Sequence, residues 1–568
     1  MKDLQWWQKT VVYQVYPKSF LDTTGSGQGD IPGITRKLDY LKTLGVGAVW
    51  LTPVYSSPMV DNGYDIADYT AIDPSYGTMA DMEELIAAAK KRDIRIVMDL
   101  VYNHTSDKHA WFIESKSSRD NSKADWYIWR DAKPDGSAPT NWRSIFGGSA
   151  WTWCEERQQY YLHTFAAAQP DLNWENPAVR KALYAAANFW LDKGVGGFRI
   201  DAIVYIKKPA VFADGEPDSS DGMVNVHSMI ANTPGILDFL QEFRREVFDG
   251  HDIFTVAEAN GVGPDELKDW VGEQGAFDML FEFSHVNLEF PDGEIWSRGT
   301  GWKPELIGRL KQSLTASQLA TAENGWYPIF FENHDQFRCV RHFFPDDANP
   351  QVTAKAIATV LFTLRGTPFV YEGQELGMDN VAWGSIADYD DISSHGQYEL
   401  ALAEGRSESD ALRLVHRYSR DNARTPMQWT RGRQAGFTEG QPWLPVHEDY
   451  AHCCVESEAE DEDSVLSFYR RLSRLRREGA AAQVLQQGSY EEVLTEREDI
   501  YAFRRRWGGQ EVLTVVNFTG RKTDYTVDLP AEAQAIIESQ PDSKAGKLRP
   551  YEAVCYLGRT ARKEGQGQ

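Results

Sequence analysis

The sequence predicts a (β/α)8 (TIM) barrel, with an inserted subdomain after strand three and a C-terminal antiparallel β-sandwich domain. Two observations predict it. Eight short apolar runs alternate with stretches of helical periodicity, and the runs are continuous, as suits parallel strands covered on both faces. Four of the runs lead into polar strings: DLVYNH at 99–104, GFRIDA at 197–202, TVAEAN at 255–260 and FENHDQ at 331–336. Functional groups of such barrels stand at the C-terminal ends of the strands.

The elements follow in order. VVYQVYP (11–17) is the first strand, and a helix containing ITRKLDYLKTLG leads to the second, AVWLTP (48–53). The helix MADMEELIAAAKKRD precedes the third, RIVMDL (95–100). AVRKALYAAANFWLDKG precedes the fourth, GFRIDAI (197–203). IFTVAEA (253–259), FDMLFEF (277–283), YPIFFENH (327–334) and TPFVYEG (367–373) complete the eight. Residues 105–171 are rich in Trp, Asp, Ser and Gly, without a long helical pattern, and form a small subdomain over the barrel mouth. The barrel therefore spans 1–104 and 172–480. A polar stretch, 374–463, holds the helical HGQYELALAEGRSESDALRLVHRYS and the acidic, solvated ESEAEDED. After the helix SVLSFYRRLSRLRRE, the strand-like YAFRRRW, GQEVLTVVNFTG and YEAVCYL place the β domain at 481–560. The tail RTARKEGQGQ reads as disordered.

Composition narrows the function. A formal charge of −25 makes nucleic acid a poor partner. The five cysteines have no framework or metal-binding spacing, which suits reduced thiols in a cytoplasm. The N-terminus shows no signal-peptide pattern, and no run reaches the roughly 18 apolar residues of a membrane span. The expectation is a soluble, cytoplasmic monomer acting on a small molecule.

Asp201, Glu258 and Asp335 end strands far apart in sequence. Acids converging on one rim suit cleavage of an acetal, which needs a carboxylate nucleophile and a proton donor about 5 Å away. Asp201 suits the nucleophile, and Arg199, two residues earlier on the same strand face, would keep it ionised. Glu258 stands among Val256, Ala257 and Ala259, and apolar burial would raise its carboxyl as a general acid requires. Asp335 and His334 would grip hydroxyls and favour the charged transition state. A lone strand-end aspartate is usually a cap or loop anchor; three in this arrangement are not explained that way.

Taken together, the four strings, QPDLNWENP (169–177) and SRDNARTPMQW (419–429) resemble glycoside hydrolase family 13, the α-amylase superfamily, over roughly residues 5–560. The resemblance is strongest to the group of oligo-1,6-glucosidases, dextran glucosidases, sucrose isomerases and trehalose-6-phosphate hydrolases. It implies Asp201 as nucleophile, Glu258 as acid/base and Asp335 as stabiliser. It also implies a glucose pocket lined by Asp61, Tyr64, His104, Phe165, Gln169, Arg199, His334 and Arg424, with Asp61 and Arg424 paired at a closed end. Cleavage would then be exo, one glucose at a time. Tyr64 and Phe165 are also readable as core aromatics, and His104 as a structural histidine.

Three departures matter. The loop that resembles a calcium loop reads DTTGSGQGD (22–30), so Thr24 and Ser26 leave two carboxylates, Asp22 and Asp30, and calcium binding is doubtful. No other cofactor is implied. Ala202 follows the nucleophile, where the resemblance associates Val with α-1,6 and Thr with α-1,4 linkage; alanine leaves more room on the acceptor side. Phe337 stands where relatives carry Pro, and would either stack on the leaving sugar or be buried in its loop. Lys207, Lys208, Arg338 and Arg341 are candidates for a phosphate, or plain solvated residues. The function expected is a retaining exo-α-glucosidase for short, α-1,6-linked isomalto-oligosaccharides. The alternatives are trehalose-6-phosphate hydrolysis, and transglucosylation or sucrose isomerisation through the same intermediate.

Overall fold

The computed structural model describes residues 3–219, 221–290 and 295–560. Eight parallel strands form one sheet: β1 (Val12–Val15), β2 (Ala48–Leu51), β3 (Arg95–Val101), β4 (Gly197–Asp201), β5 (Phe254–Glu258), β6 (Met279–Phe281), β7 (Pro328–Ile329) and β8 (Thr367–Tyr371). Their order is β6-β5-β4-β3-β2-β1-β8-β7, which curls the sheet into a nearly closed barrel. The strands are buried along their length, as their continuous apolar character requires. Gly197 opens β4 at φ 153°, and a Cβ there would stand 2.2 Å from the Phe254 carbonyl oxygen of β5. Only glycine lets the two backbones approach so closely.

The open seam lies between β6 and β7, and side chains close it. The buried Glu282 carboxylate, just past β6, accepts from the Tyr327 hydroxyl at 3.0 Å and from the Ser317 hydroxyl at 2.6 Å. His285 Nε2 lies 2.7 Å from the Phe330 carbonyl oxygen. The predicted seventh strand, 327–334, is therefore cut to Pro328–Ile329, because Phe330 gives its carbonyl to a side chain rather than to a ladder.

Between β3 and β4 the chain builds a three-stranded antiparallel sheet from Trp129–Arg130, Trp151–Cys154 and Gln159–Leu162. Helices Ile392–Ala403 and Glu408–Tyr418 follow β8, within the polar stretch that predicted them. The C-terminal part holds a five-stranded antiparallel sheet, including Ile500–Trp507, Gln510–Asn517 and Ala553–Arg559. One face covers Tyr525 and Leu548 of a two-stranded ribbon, so the sandwich is strongly unequal. All five cysteines are buried and unpaired. Among the described residues no helix is long and apolar enough to cross a membrane. Residues 561–568 of the tail lie outside the described residues.

Burial alone would raise the Glu282 carboxyl, but His285, Ser317 and Ser284 hold it at about 2. The sign follows from the unfolded value of about 4.3: the stabilisation is complete above it and is lost as pH falls toward 2. Glu282→Gln is expected to lower the apparent melting temperature by several degrees at pH 7. The gap between variant and parent should narrow as the pH falls below about 4; a pH-independent gap would contradict the seam's ionic character.

Candidate active site

A cavity opens at the C-terminal ends of the strands, lined by Asp201, Glu258, Asp335, Asp61, Tyr64, His104 and Phe165 among others. Beneath its acids, and outside its lining, lies Arg199, which is 1% exposed. Arg199 stands opposite Asp99 in the β4–β3 register, and Nη1 donates to both Asp99 oxygens at 3.0 and 3.1 Å. The same Nη1 reaches Asp201 Oδ1 at 2.5 Å, and Nη2 pairs with Glu258. One cation thus joins the ends of β3, β4 and β5. Burial, together with Asp99 and Asp335, pushes Asp201 up to about 6 against the pull of Arg199 and His104. Glu258 departs from expectation. Its side chain is 21% exposed and ion-paired with Arg199, although Val256, Ala257 and Ala259 are themselves buried.

A second ionic group closes the inner end. Arg420 contacts Asp61 at 3.2 Å, Asp335 at 3.2 Å and Asp391 at 2.7 Å. Arg424 donates to Asp335 at 2.9 Å and to the His334 carbonyl at 2.9 Å. The expected Asp61–Arg424 pair is thus corrected: Arg420, one helical turn earlier, takes Asp61, and Arg424 serves Asp335. Despite burial, His334, Arg420 and Arg424 hold Asp335 well below the usual carboxylate range. Burial lowers His334 to about 4, so its ring is neutral. Gln14 donates to Nδ1 at 2.8 Å, which leaves the proton on Nε2, 2.9 Å from Asp335.

Tyr64 stacks on His334 with centroids 5.2 Å apart and donates to Asp99 at 3.1 Å. Gln169 donates to Asp61 at 3.1 Å. The Phe165 ring lies 5.2 Å from His104. The sequence reading missed Arg420, Asp99, Asp391 and Gln14. Arg420 had a signal, since it is the N-cap of the short helix that ends at Arg424. Asp99 had one too, two residues before the end of its strand, facing the same way as Arg199 on the next.

Part of the cavity wall is aromatic and amide-rich, with Tyr205, Phe290, Trp296, Phe337 and Gln397. Ala202 lines it in the left-handed conformation, φ 45°, directly after Asp201. Phe337 borders the cavity but is 3% exposed and stacks on His342 at 4.2 Å, so its loop holds the ring. Lys208 is corrected as an acceptor residue. It is buried and outside this cavity, with its ammonium on Asp171 at 2.7 Å and Asn103 at 2.9 Å. Lys207 is paired with Glu175, Arg338 with Glu332 and Arg341 with Asp379, and none of the three lines the cavity.

A family model, "Alpha amylase, catalytic domain", matches residues 14–488. The chain belongs to the α-amylase family. It is a glycoside hydrolase of α-glucosidase type. It is 44% identical to an oligo-1,6-glucosidase of Halalkalibacterium halodurans, over 98% of this chain and 99% of that one. The Bacillus licheniformis trehalose-6-phosphate hydrolase structure superposes with a TM-score of 0.88 at 40% identity, covering 98% of this chain and 100% of that one. The trehalulose synthase MutB from Pseudomonas mesoacidophila MX-45 gives 0.91 at 39% identity, with the same coverage.

In this α-amylase-family chain the loop 22–30 does not fit a divalent cation. Asp22 accepts from the amides of Thr24, Gly25 and Gly27 at 2.8, 2.9 and 2.7 Å, and from Thr438. Asp30 accepts from the amides of Thr23 and Gly33, both at 2.7 Å. N–H donors therefore occupy the lone pairs a hard cation would need. Among the described residues no group of three or more His, Cys, Asp or Glu could hold a metal ion. EDTA is expected to leave the melting temperature and activity unchanged; a drop of many degrees would show that a cation replaces those donors.

Proposed function

We propose that the chain is a retaining exo-α-glucosidase that releases glucose from the non-reducing end of short, unphosphorylated α-glucosides, chiefly α-1,6-linked. The carrying observation is the charge of the cavity. Among the described residues four carboxylates line it, and the one lining cation, Arg420, is already shared among three acids. Such a wall suits neutral hydroxyls and repels a phosphate. The linkage draws support from the oligo-1,6-glucosidase relatives.

Asp201 attacks the anomeric carbon while Glu258 protonates the leaving oxygen, giving a glucosyl-aspartate. Glu258 then takes a proton from water, which releases glucose with retained configuration. One guanidinium bridges the two carboxylates, Nη1 on Asp201 and Nη2 on Glu258, which suits the spacing of about 5 Å of retaining pairs. A bound sugar draws Glu258 off Arg199 and leaves its carboxyl free to be protonated. Asp335, kept ionised by its arginines, faces the positive charge that grows on the sugar ring. The Asp61–Arg420 pair closes the inner end, so a longer glycan cannot pass through.

The deciding assay is product analysis on isomaltose, panose, maltose, sucrose, trehalose, trehalose-6-phosphate and dextran. Glucose from isomaltose and panose, released with retention, is expected. Activity confined to trehalose-6-phosphate would overturn the charge argument, and new oligosaccharides without glucose would make the enzyme a transglucosidase. Asp201→Asn is expected to cut kcat by roughly 10⁴-fold or more with the melting temperature little changed; near-parent turnover would remove Asp201 as nucleophile.

A further inference from the structure

We infer that Asn324 is a site of spontaneous deamidation, in which the following glycine displaces the side-chain nitrogen and leaves isoaspartate at the foot of the β6–β7 seam. Three asparagines of the chain precede glycine, Asn62, Asn260 and Asn324, so local sequence does not separate them. The fold does. Asn62 is 6% exposed, its oxygen accepts from Lys18 at 2.6 Å and its nitrogen donates to Asp390 at 3.2 Å. Asn260 is half-buried at the cavity wall, and its oxygen accepts from Asn287 at 3.3 Å. Asn324 is exposed, and among the described residues neither its side-chain nitrogen nor the Gly325 amide donates a hydrogen bond.

The Gly325 nitrogen, once it loses its proton, adds to Asn324 Cγ. The bond from Cγ to the side-chain nitrogen breaks and ammonia leaves, which closes a succinimide ring. Water opens the ring at either carbonyl and gives aspartate or isoaspartate, so one water is taken up for each ammonia released. Glycine leaves the attacking nitrogen unshielded because no Cβ stands beside it; here a Cβ would lie 2.9 Å from Val271 Cγ2. Asn324 Oδ1 accepts from the Glu273 amide at 3.4 Å, a donor that favours the negative oxygen formed by the attack. The same contact places the site. Residues 271–273 lead into β6 and Asn324 leads into β7, so the side chain joins the two segments that enter the open seam. In the isoaspartate the backbone runs through Cγ and is one atom longer, three residues before Tyr327, whose hydroxyl closes the seam on Glu282.

The test is peptide mapping by mass spectrometry of the full-length protein aged in mildly alkaline buffer, with isoaspartate counted by enzymatic methylation. Asn324 is expected to show the mass gain of an amide-to-acid change at least tenfold faster than Asn62, and ahead of Asn260. In urea-unfolded protein the three should react at comparable rates, which would assign the difference to the fold. An Asn324 that stays intact in the folded chain, or that changes no faster than Asn62, overturns the inference. The effect on the seam is read separately. The melting temperature of the aged parent is expected to fall by a few degrees, while Asn324→Gln, whose longer side chain closes the ring far more slowly, keeps its own. A parent that converts at Asn324 without any loss of melting temperature would overturn the link to the seam.

Discussion

The site depends on one buried cation. Arg199 sits on the fourth strand with its guanidinium shared by Asp99, Asp201 and Glu258. A guanidinium this deeply buried is held by its acids, and breaking such a group by removing one partner would leave an uncompensated buried charge. Its place follows from strand geometry. Arg199 and Asp201 alternate with Ile200 and so face the same way, and the parallel register sets Asp99 beside Arg199. The balance still falls short of the acids. Asp201 rises to about 6, and burial raises Asp99 as well.

Asp335 shows the opposite balance. Its side chain is 28% exposed against 11% for Asp201, and His334, Arg420 and Arg424 surround it and keep it charged at any working pH. Two aspartates on one rim thus have different characters because different numbers of donors reach them. Environment rather than residue type divides the roles.

Much of this was legible in the chain. The eight apolar runs gave the barrel, since parallel strands covered on both faces leave continuous hydrophobic stretches. The acids were legible because each ends a strand. What the runs could not show was the seam: a strand whose carbonyl is taken by His285 reads like one in a full ladder. The edge strand Ala531–Glu538 was equally hidden, as its Ala, Glu and Gln carry little β-propensity and only its pairing with Ala553–Arg559 makes it a strand. Side-chain pairing was the least legible level. Arg420 caps the short helix that Arg424 ends, and only the fold decides which of them meets Asp61. Lys208 looked like a surface cation near the acceptor side, and its burial on Asp171 comes from contacts across the chain.

The polar stretch after the eighth strand shows how site and fold share the same ions. Read alone, the helices Ile392–Ala403 and Glu408–Tyr418 are a solvated excursion. Their bases are fastened at the pocket. Asp391 caps the first helix by accepting from the amides of Ser393 and Ser394, and also binds Arg420, two residues beyond the second helix. The Ser394 and Ser419 hydroxyls meet at 2.7 Å, and Asp421 accepts from the amides of Asp390 and Asp391. Ser393, Gln397 and Tyr418 then line the cavity from this hairpin. Arg420 therefore ties the roof to Asp61 at the inner end and to Asp335 at the reacting side. A charge change at either acid alters the anchoring of the roof, so the depth of the pocket and the shape of its acceptor side are not independent properties of this chain.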